Sequence, residues 1–476
     1  MPVADLTGGM KPGHHDRGRM DSIDETVPIS VPGRTPTKTT RTARPEPSEP
    51  APHQWNPVTR ILFRFCFLYL GLFCLASPVM LFEFTGLFGR WLPDDAVFWQ
   101  VRLTEPALSW VGDTVFGIEV ALYMNGSGDQ GIYWVQLFCV LVVALAGTLV
   151  WTLFGRRMEY RHPAAWLLLV LRLCVAAQLV HYGLAKVIPA QMPQPALTTL
   201  LTPVGDLTPF TLLWNQVGAS PVYEILLGAA ELTAGVLLFI PRTALVGAIL
   251  AVVSMAQVFI LNMTFGVPVK ILSGHLLLMS VVLLAPEARR LTEVLVLNRA
   301  TGPSDAPYPF VTSRARRIAT GFQVALAVWV TVSVTYFTWD IWQAVGPDRP
   351  KPPLYGMWSV SDFTRDGQPV PPVLTDDIQW RTVVFEHIGQ ISYRLLDGTI
   401  VTAPGTIDPA THRIDVAAVG DTSSAVLTFD QIGPDRVALT GELGGHPVTM
   451  TLHRVDPDQF TLRSTTFRWV QDQPAQ

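Results

Sequence analysis

Seven stretches of this chain, 60–82, 132–154, 164–187, 222–240, 244–265, 270–286 and 318–343, are apolar over roughly the length of about 20 helical residues that crosses a bilayer core. In hydrocarbon every backbone N–H and C=O must be satisfied internally, so such stretches can only be helices packed together as a bundle. Composition agrees, because 49% of the 476 residues are hydrophobic and only 15% are charged, too few for an ordinary water-soluble chain of this size. Breaks at Pro241-Arg242-Thr243 and Phe265-Gly266-Val267-Pro268 separate neighbouring spans by tight connections. The expected fold class is a polytopic α-helical membrane bundle of about seven spans, followed by a small all-β extracytoplasmic domain.

The rest of the chain divides around that bundle. Residues 1–56 are rich in Pro, Ser, Thr, Arg and Glu and cannot bury enough apolar surface to offset ordering entropy, which predicts a disordered tail. His14 and His15 lie in it without Cys or carboxylates at ligand spacing, so no metal site is predicted there. The tail has no cleavable signal sequence, and the first span is expected to stay as an anchor. A helical domain is predicted over 57–345, a Pro-rich linker over 346–353 and a β-barrel or sandwich over 354–476. The last assignment rests on short alternating runs such as Ala425-Val-Leu-Thr-Phe429, punctuated by Asp366-Gly367, Asp397-Gly398 and Gly444-Gly445.

Charge predicts orientation. Arg34, Lys38, Arg41 and Arg44 precede the first span, Arg156, Arg157 and Arg161 join the second to the third, Arg242 joins the fourth to the fifth, and Arg289 to Arg317 lie between the sixth and seventh. These fall on one side if all spans are real, whereas the 83–131 connection is mainly acidic. The positive-inside rule then puts the N-terminus in the cytoplasm and the C-terminal domain outside a bacterial inner membrane. A net charge of −4, with basic residues clustered beside apolar spans, excludes nucleic acid as an expected partner. Cys66, Cys74, Cys139 and Cys174 all lie in apolar runs, and no disulfide framework follows.

Polar groups inside the spans are the candidates for function, since an ionisable side chain in hydrocarbon persists only when paired, wetted or used. Gln178, Tyr182 and Lys186 recur every four residues and share a helix stripe, with His181 on the neighbouring face. Glu224, Gly228, Glu231 and Gly235 follow at spacings of four, three and four, so glycine brings a partner helix against the acids. From the rise per residue, Arg172 and Glu231 are both expected at mid-membrane and are predicted to form a structural ion pair. His181, Tyr182, Lys186, Glu224, Lys270 and His275 are predicted to line one pocket open to the periplasmic side. A histidine, a lysine and a glutamate together suit proton-coupled chemistry on a quinone-like or acyl group. Each lysine taken alone reads as a snorkelling side chain. Bis-histidine haem ligation by His181 and His275 is disfavoured, because the sequence does not show that small residues open a haem-sized space around both ligands.

The run Arg172-Leu-Cys-Val-Ala-Ala-Gln-Leu-Val-His-Tyr-Gly-Leu-Ala-Lys186, followed by Glu231-Leu-Thr-Ala-Gly-Val-Leu-Leu-Phe-Ile-Pro-Arg-Thr243, resembles the four-helix unit of DoxX-like membrane proteins over residues 164–290. That family's pattern is an Arg-Leu opening, a Gly-x-x-Lys and a Glu-x-x-Gly-Gly leading to a Thr. Gly183-Leu-Ala-Lys186 fits, while Ala234-Gly235 stands in place of the double glycine. The resemblance implies a membrane component linked to quinone or redox chemistry, as in the small subunit of a thiosulfate:quinone oxidoreductase. An enzymatic role would then be that of a quinone-linked oxidoreductase or a subunit of one, with a partner redox subunit, quinone being the implied cofactor. In the tail, Gly356-Met-Trp358 and Arg468 are similar to the Gly-x-Trp and closing arginine of lipocalin-like barrels. The alternative expectation is a non-enzymatic scaffold, or a protein that binds a lipid or small apolar ligand through its β domain.

Overall fold

A computed structural model describes residues 55–464, apart from 156, 158 and 421, together with 469 and 470. The expected tail up to residue 54, with His14 and His15, lies outside the described residues, as do Arg156 and Arg468.

Twelve helices form the first part: α1 Pro57–Ala76, α2 Pro78–Phe82, α3 Trp99–Val111, α4 Gly131–Phe154, α5 Arg161–Val187, α6 Leu197–Leu201, α7 Pro209–Gly218, α8 Pro221–Phe239, α9 Ala244–Thr264, α10 Lys270–Leu284, α11 Ala288–Leu295 and α12 Ser313–Val345. Seven helical stretches (α1, α4, α5, α8, α9, α10 continued through α11, and α12) are long and apolar enough to cross a membrane. Their starts follow local chemistry. Asn56 Oδ1 accepts a hydrogen bond from the Thr59 N–H at 2.7 Å, and Pro57 stands where the helix needs no donor. At α12 the Thr312 hydroxyl accepts from the Ala315 N–H at 3.1 Å. The first apolar run reads as continuous to 82, but Ser77-Pro78 interrupts it, because proline removes a backbone donor and pushes its predecessor out of helical geometry.

Helix α5 is the axis of the bundle. Leu171, Val175, Ala176, Leu179 and Val180 are fully buried, and the core continues through Ala234, Leu238 and Phe239 of α8 and Met279 of α10. Close approach of α5 and α8 depends on glycine: a Cβ at Gly228 would stand 2.6 Å from the Gly183 carbonyl oxygen, and one at Gly235 would stand 2.9 Å from the Ala176 oxygen. The connection read from the sequence as an acidic loop, 83–131, is folded. A 3-10 segment, Glu83–Trp91, packs on α12, where Trp329 Nε1 donates to the Phe84 oxygen at 3.1 Å and the Leu87 N–H donates to Ser333 Oγ at 3.1 Å.

The remaining sequence forms strands β1 Gly356–Arg365, β2 Gln368–Pro369, β3 Trp380–Phe385, β4 Gln390–Leu395, β5 Ile400–Asp408, β6 Arg413–Val416, β7 Ala425–Gly433, β8 Arg436–Leu443 and β9 His446–Val455. Consecutive strands pair antiparallel and β1 pairs with β9, so β1 and β3 to β9 close an eight-stranded barrel, with β2 a short flap on β1. Between barrel and sandwich, the structure is a barrel. Gly444 and Gly445 both take positive φ in the two-residue turn that joins β8 to β9, as its backbone requires. Alternation puts Leu427, Phe429, Leu439, Met450 and Leu452 inside. Trp380 stacks on Tyr393 at 4.7 Å between ring centroids, within an interior filled by large side chains.

The barrel rests on the connection between α5 and α8. Leu197, Met357 and Val384 form a small apolar cluster, each at most 1% exposed. Beside it Glu386 accepts from the Leu197 N–H at 2.9 Å through one oxygen and from Arg349 Nη2 at 3.1 Å through the other.

Candidate functional site

Lys186 Nζ lies 2.7 Å from Glu231 Oε2, and the two side chains are 7% and 5% exposed. This is the most buried ion pair among the described residues, and it corrects the pairing of Arg172 with Glu231 expected from depth. That estimate assumed α5 and α8 end in the same plane. In the structure Gly228 packs against Gly183, Lys186 and Val187 at the end of α5, so the first two turns of α8 run past it and Glu231 falls at the level of Lys186. Arg172, about 20 Å away along the helix, instead donates to Gln323 Oε1 of α12.

The pair forms part of the wall of a cavity of about 90 Å³. Tyr182, Lys186, Glu231, Gln257, Asn262 and Ser273 are among the polar groups around it, and Leu213, Val217, Leu227, Met255, Leu261 and Leu276 are among the apolar ones. Asn262 Nδ2 donates to Ser273 Oγ at 3.0 Å, which ties α9 to α10 across the floor. The roof comes from the α5–α8 connection, where Trp214 Nε1 donates to the Gln191 carbonyl oxygen at 3.0 Å. Gln191 Oε1 is buried there with no hydrogen-bond partner among the described residues. Gln257 is exposed on the flank of α9, so the cavity wall reaches the side of the bundle. A second cavity, of about 210 Å³, shares Tyr182, Val269 and Leu272 with the first and extends toward Ser127 and Tyr133.

The six residues predicted to line one pocket do not converge. Tyr182 and Lys186 line the cavity. Glu224 supports its roof, accepting from the Met192 N–H at 3.0 Å. His181 turns to the other side of α5, with Nδ1 3.0 Å from Glu83 Oε1. Lys270 meets Asp129 at 3.3 Å, and the same carboxylate caps α10 by accepting from the Lys270 and Ile271 N–H groups at 2.8 and 3.0 Å. His275 faces α1: Nε2 is 2.8 Å from Tyr69 Oη, Nδ1 is 2.7 Å from the Ile271 oxygen, and the ring stacks on Phe73 at 3.8 Å. The reason is geometric. Helical positions a few residues apart share a depth without sharing a face, and the folded 83–131 connection supplies Glu83 and Asp129 as local partners. Among the described residues no group of three or more His, Cys, Asp or Glu side chains could hold a metal ion.

Four polar residues escape the sequence reading, three around the cavity and one at the other end of the bundle. Asp129 and Glu83 look like ordinary loop acids, and Gln191 sits in a connection with no motif. Arg64 is 3% exposed inside α1, where it donates to Tyr160 Oη at 2.8 Å and to Thr152 Oγ1 at 2.9 Å. The signal for Arg64 was present, as a lone arginine within an apolar span.

Chemically, the cavity offers a lysine with proton-donor capacity beyond its carboxylate partner, a phenol, a carboxamide and an unpaired amide oxygen, all within apolar walls. It can hold a small molecule with one or two carbonyl oxygens and an apolar body. No family model matches the chain, and no solved structure matches it. Over 128 residues the chain is 34% identical to the uncharacterized protein YwoB of Bacillus subtilis, a match that takes in 25% of this chain and 75% of YwoB. The span and the identity of that match place the chain in the family of YwoB.

Proposed function

We propose that this protein is an integral membrane protein of DoxX-like type, a component of quinone-linked redox chemistry, with the Lys186–Glu231 cavity as its binding site. The observation that carries this reading is an apolar cavity within the bundle that has a buried lysine–carboxylate pair in its wall and reaches the side of the bundle at Gln257. A ligand that travels in the bilayer enters from that side. Lys186 and Tyr182 then donate to a carbonyl oxygen, and Glu231 holds the Lys186 ammonium in position. The chain supplies binding and proton groups, and a partner subunit supplies electrons. In this reading the protein sits in a bacterial inner membrane, its arginine-bearing end in the cytoplasm and its barrel outside.

The rival reading gives specificity to the β domain. Its support is the docking of the barrel on the α5–α8 connection through Glu386 and Leu197. The filled interior around Trp380 and Tyr393 suits a cover better than a carrier of apolar ligands. Mass spectrometry of an organic extract, from protein purified in mild detergent against a mock membrane purification, separates the two. Stoichiometric quinone that is lost in Lys186→Met and Tyr182→Phe supports the cavity. Absence of quinone above background sinks the redox reading, and a lipid retained only when 350–476 is present moves the function to the barrel.

A further inference from the structure

At the end of the bundle remote from Lys186, a cleft of about 1030 Å³ opens between α5, α9, α10 and α12. Arg172, Arg242, Arg290, Arg316 and Arg317 line it, and the acid among them is Glu287. Glu287 is already neutralised, with one oxygen accepting from Arg290 Nη1 at 2.6 Å and the other from Ser304 Oγ. None of the ion pairs among the described residues includes Arg172, Arg242, Arg316 or Arg317. Among the described residues the cleft therefore carries an excess of positive charge.

Two of these guanidinium groups carry a buried donor with no partner among the described residues. Arg172 is only 8% exposed, and while its guanidinium is held by Gln323 and by the Tyr308 hydroxyl, its Nε is buried with no hydrogen-bond partner among the described residues. Arg290 Nε is likewise buried and without a partner among the described residues. A guanidinium N–H out of water and lacking an acceptor is destabilising, so two such donors in one arginine-lined cleft favour a ligand that brings acceptor oxygens. Leu168, Leu169, Leu238 and Leu283 add apolar wall to the cleft.

We propose that this cleft binds a phosphate-bearing anion, held by the guanidinium forks of Arg172 and Arg290 and by the rim charges of Arg242 and Arg317. A tetrahedral phosphate offers several acceptor oxygens to planar donors, and planar donors on a charged scaffold are what these arginines provide. An anionic phospholipid headgroup and a free phosphate share this chemistry. The site stands on its own residues and is independent of the Lys186 cavity.

The test uses the full chain, delipidated in nonionic detergent, with phosphatidylglycerol, phosphatidylcholine and inorganic phosphate as probes. Native mass spectrometry reads retained lipid, and thermal unfolding reads phosphate. The variants are Arg172→Gln and the exposed rim pair Arg242→Gln/Arg317→Gln, the second deciding the matter should the first fail to fold. Preferential retention of phosphatidylglycerol over phosphatidylcholine, weakened about tenfold or more in the rim pair, supports a lipid headgroup. Stabilisation by inorganic phosphate in the wild type and not in the rim pair, with the two lipids equivalent, supports a free phosphate. Equal behaviour of wild type and rim pair toward every probe overturns the proposal.

Discussion

Glu231 stands one helical turn after Gly228, and it is the absence of a side chain at Gly228 that lets Lys186 approach the carboxylate to 2.7 Å. A pair this buried is close to neutral in net stability, but removing one partner strands a charge. Lys186→Met is expected to cost about 3–5 kcal/mol, and the double variant Lys186→Met/Glu231→Leu to recover most of it. Unfolding of both in the same detergent checks this, and additive losses in the double variant would show that the two side chains do not depend on each other.

Gly228→Val is expected to separate α5 from α8, because its Cβ would lie 2.6 Å from both the Gly183 oxygen and Lys186 Cβ. The cost is about 1–3 kcal/mol, as for overpacked cores. Gly71 in α1 is the control, since a Cβ there meets nothing within 4 Å. Gly71→Ala should leave the melting temperature unchanged or slightly raised, and equal losses at both sites would remove glycine-mediated packing as the explanation.

In the barrel, Arg365 Nη2 donates to both oxygens of Asp376, at 2.8 and 2.7 Å. Burial alone raises the Asp376 carboxyl, but the N–H groups of Gln379 and Ile378 and the Arg365 guanidinium outweigh it and hold the group below its ordinary value. A depressed folded-state value means that the stabilisation is complete above about pH 4, the ordinary aspartate range, and drains away as pH falls through the lower folded value. Asp376→Asn should lower stability at neutral pH and flatten this acid limb. Near-ultraviolet circular dichroism, which follows the buried tryptophans, reads the transition, and parallel acid profiles for the two proteins would exclude the clamp.

Glu386→Ala leaves the Leu197 N–H without its acceptor and Arg349 without its carboxylate, an expected loss of about 1–3 kcal/mol at this contact. Hydrogen exchange across 188–220 should accelerate, most of all at Leu197. Glu386→Gln keeps an acceptor for Leu197 and should fall between wild type and alanine. Unchanged exchange in the alanine variant would mean that Glu386 does not hold the connection.

The sequence made the helical half legible as a set of spans, because period and length are local properties: every predicted span has a helix over it, and Ser77-Pro78 explains the early end of the first. Relative sliding of helices is not local. Nothing in the spacing around Glu231 says that α8 overshoots α5, so the acid was matched to Arg172 when its partner was Lys186. The folded 83–131 connection was hidden for a similar reason, since Glu83 and Asp129 acquire meaning only from His181 and α10, distant in sequence. In the tail the hairpin signals Asp366-Gly367 and Gly444-Gly445 were readable turns, but closure depends on Trp358 meeting Arg454, a pairing that no local pattern encodes.

The contact between Glu386 and Leu197 fixes an order of assembly. Chains emerge from the ribosome N-terminus first, so α5 to α12 are complete before Glu386 exists. The connection that supplies Gln191, Met192 and Trp214 to the cavity thus waits, uncovered on its Leu197 side, until β9 has reached β1 and the barrel has closed. Maturation of a chamber inside the bundle is in this way timed by the strands of the barrel, which are synthesised after every helix that surrounds it.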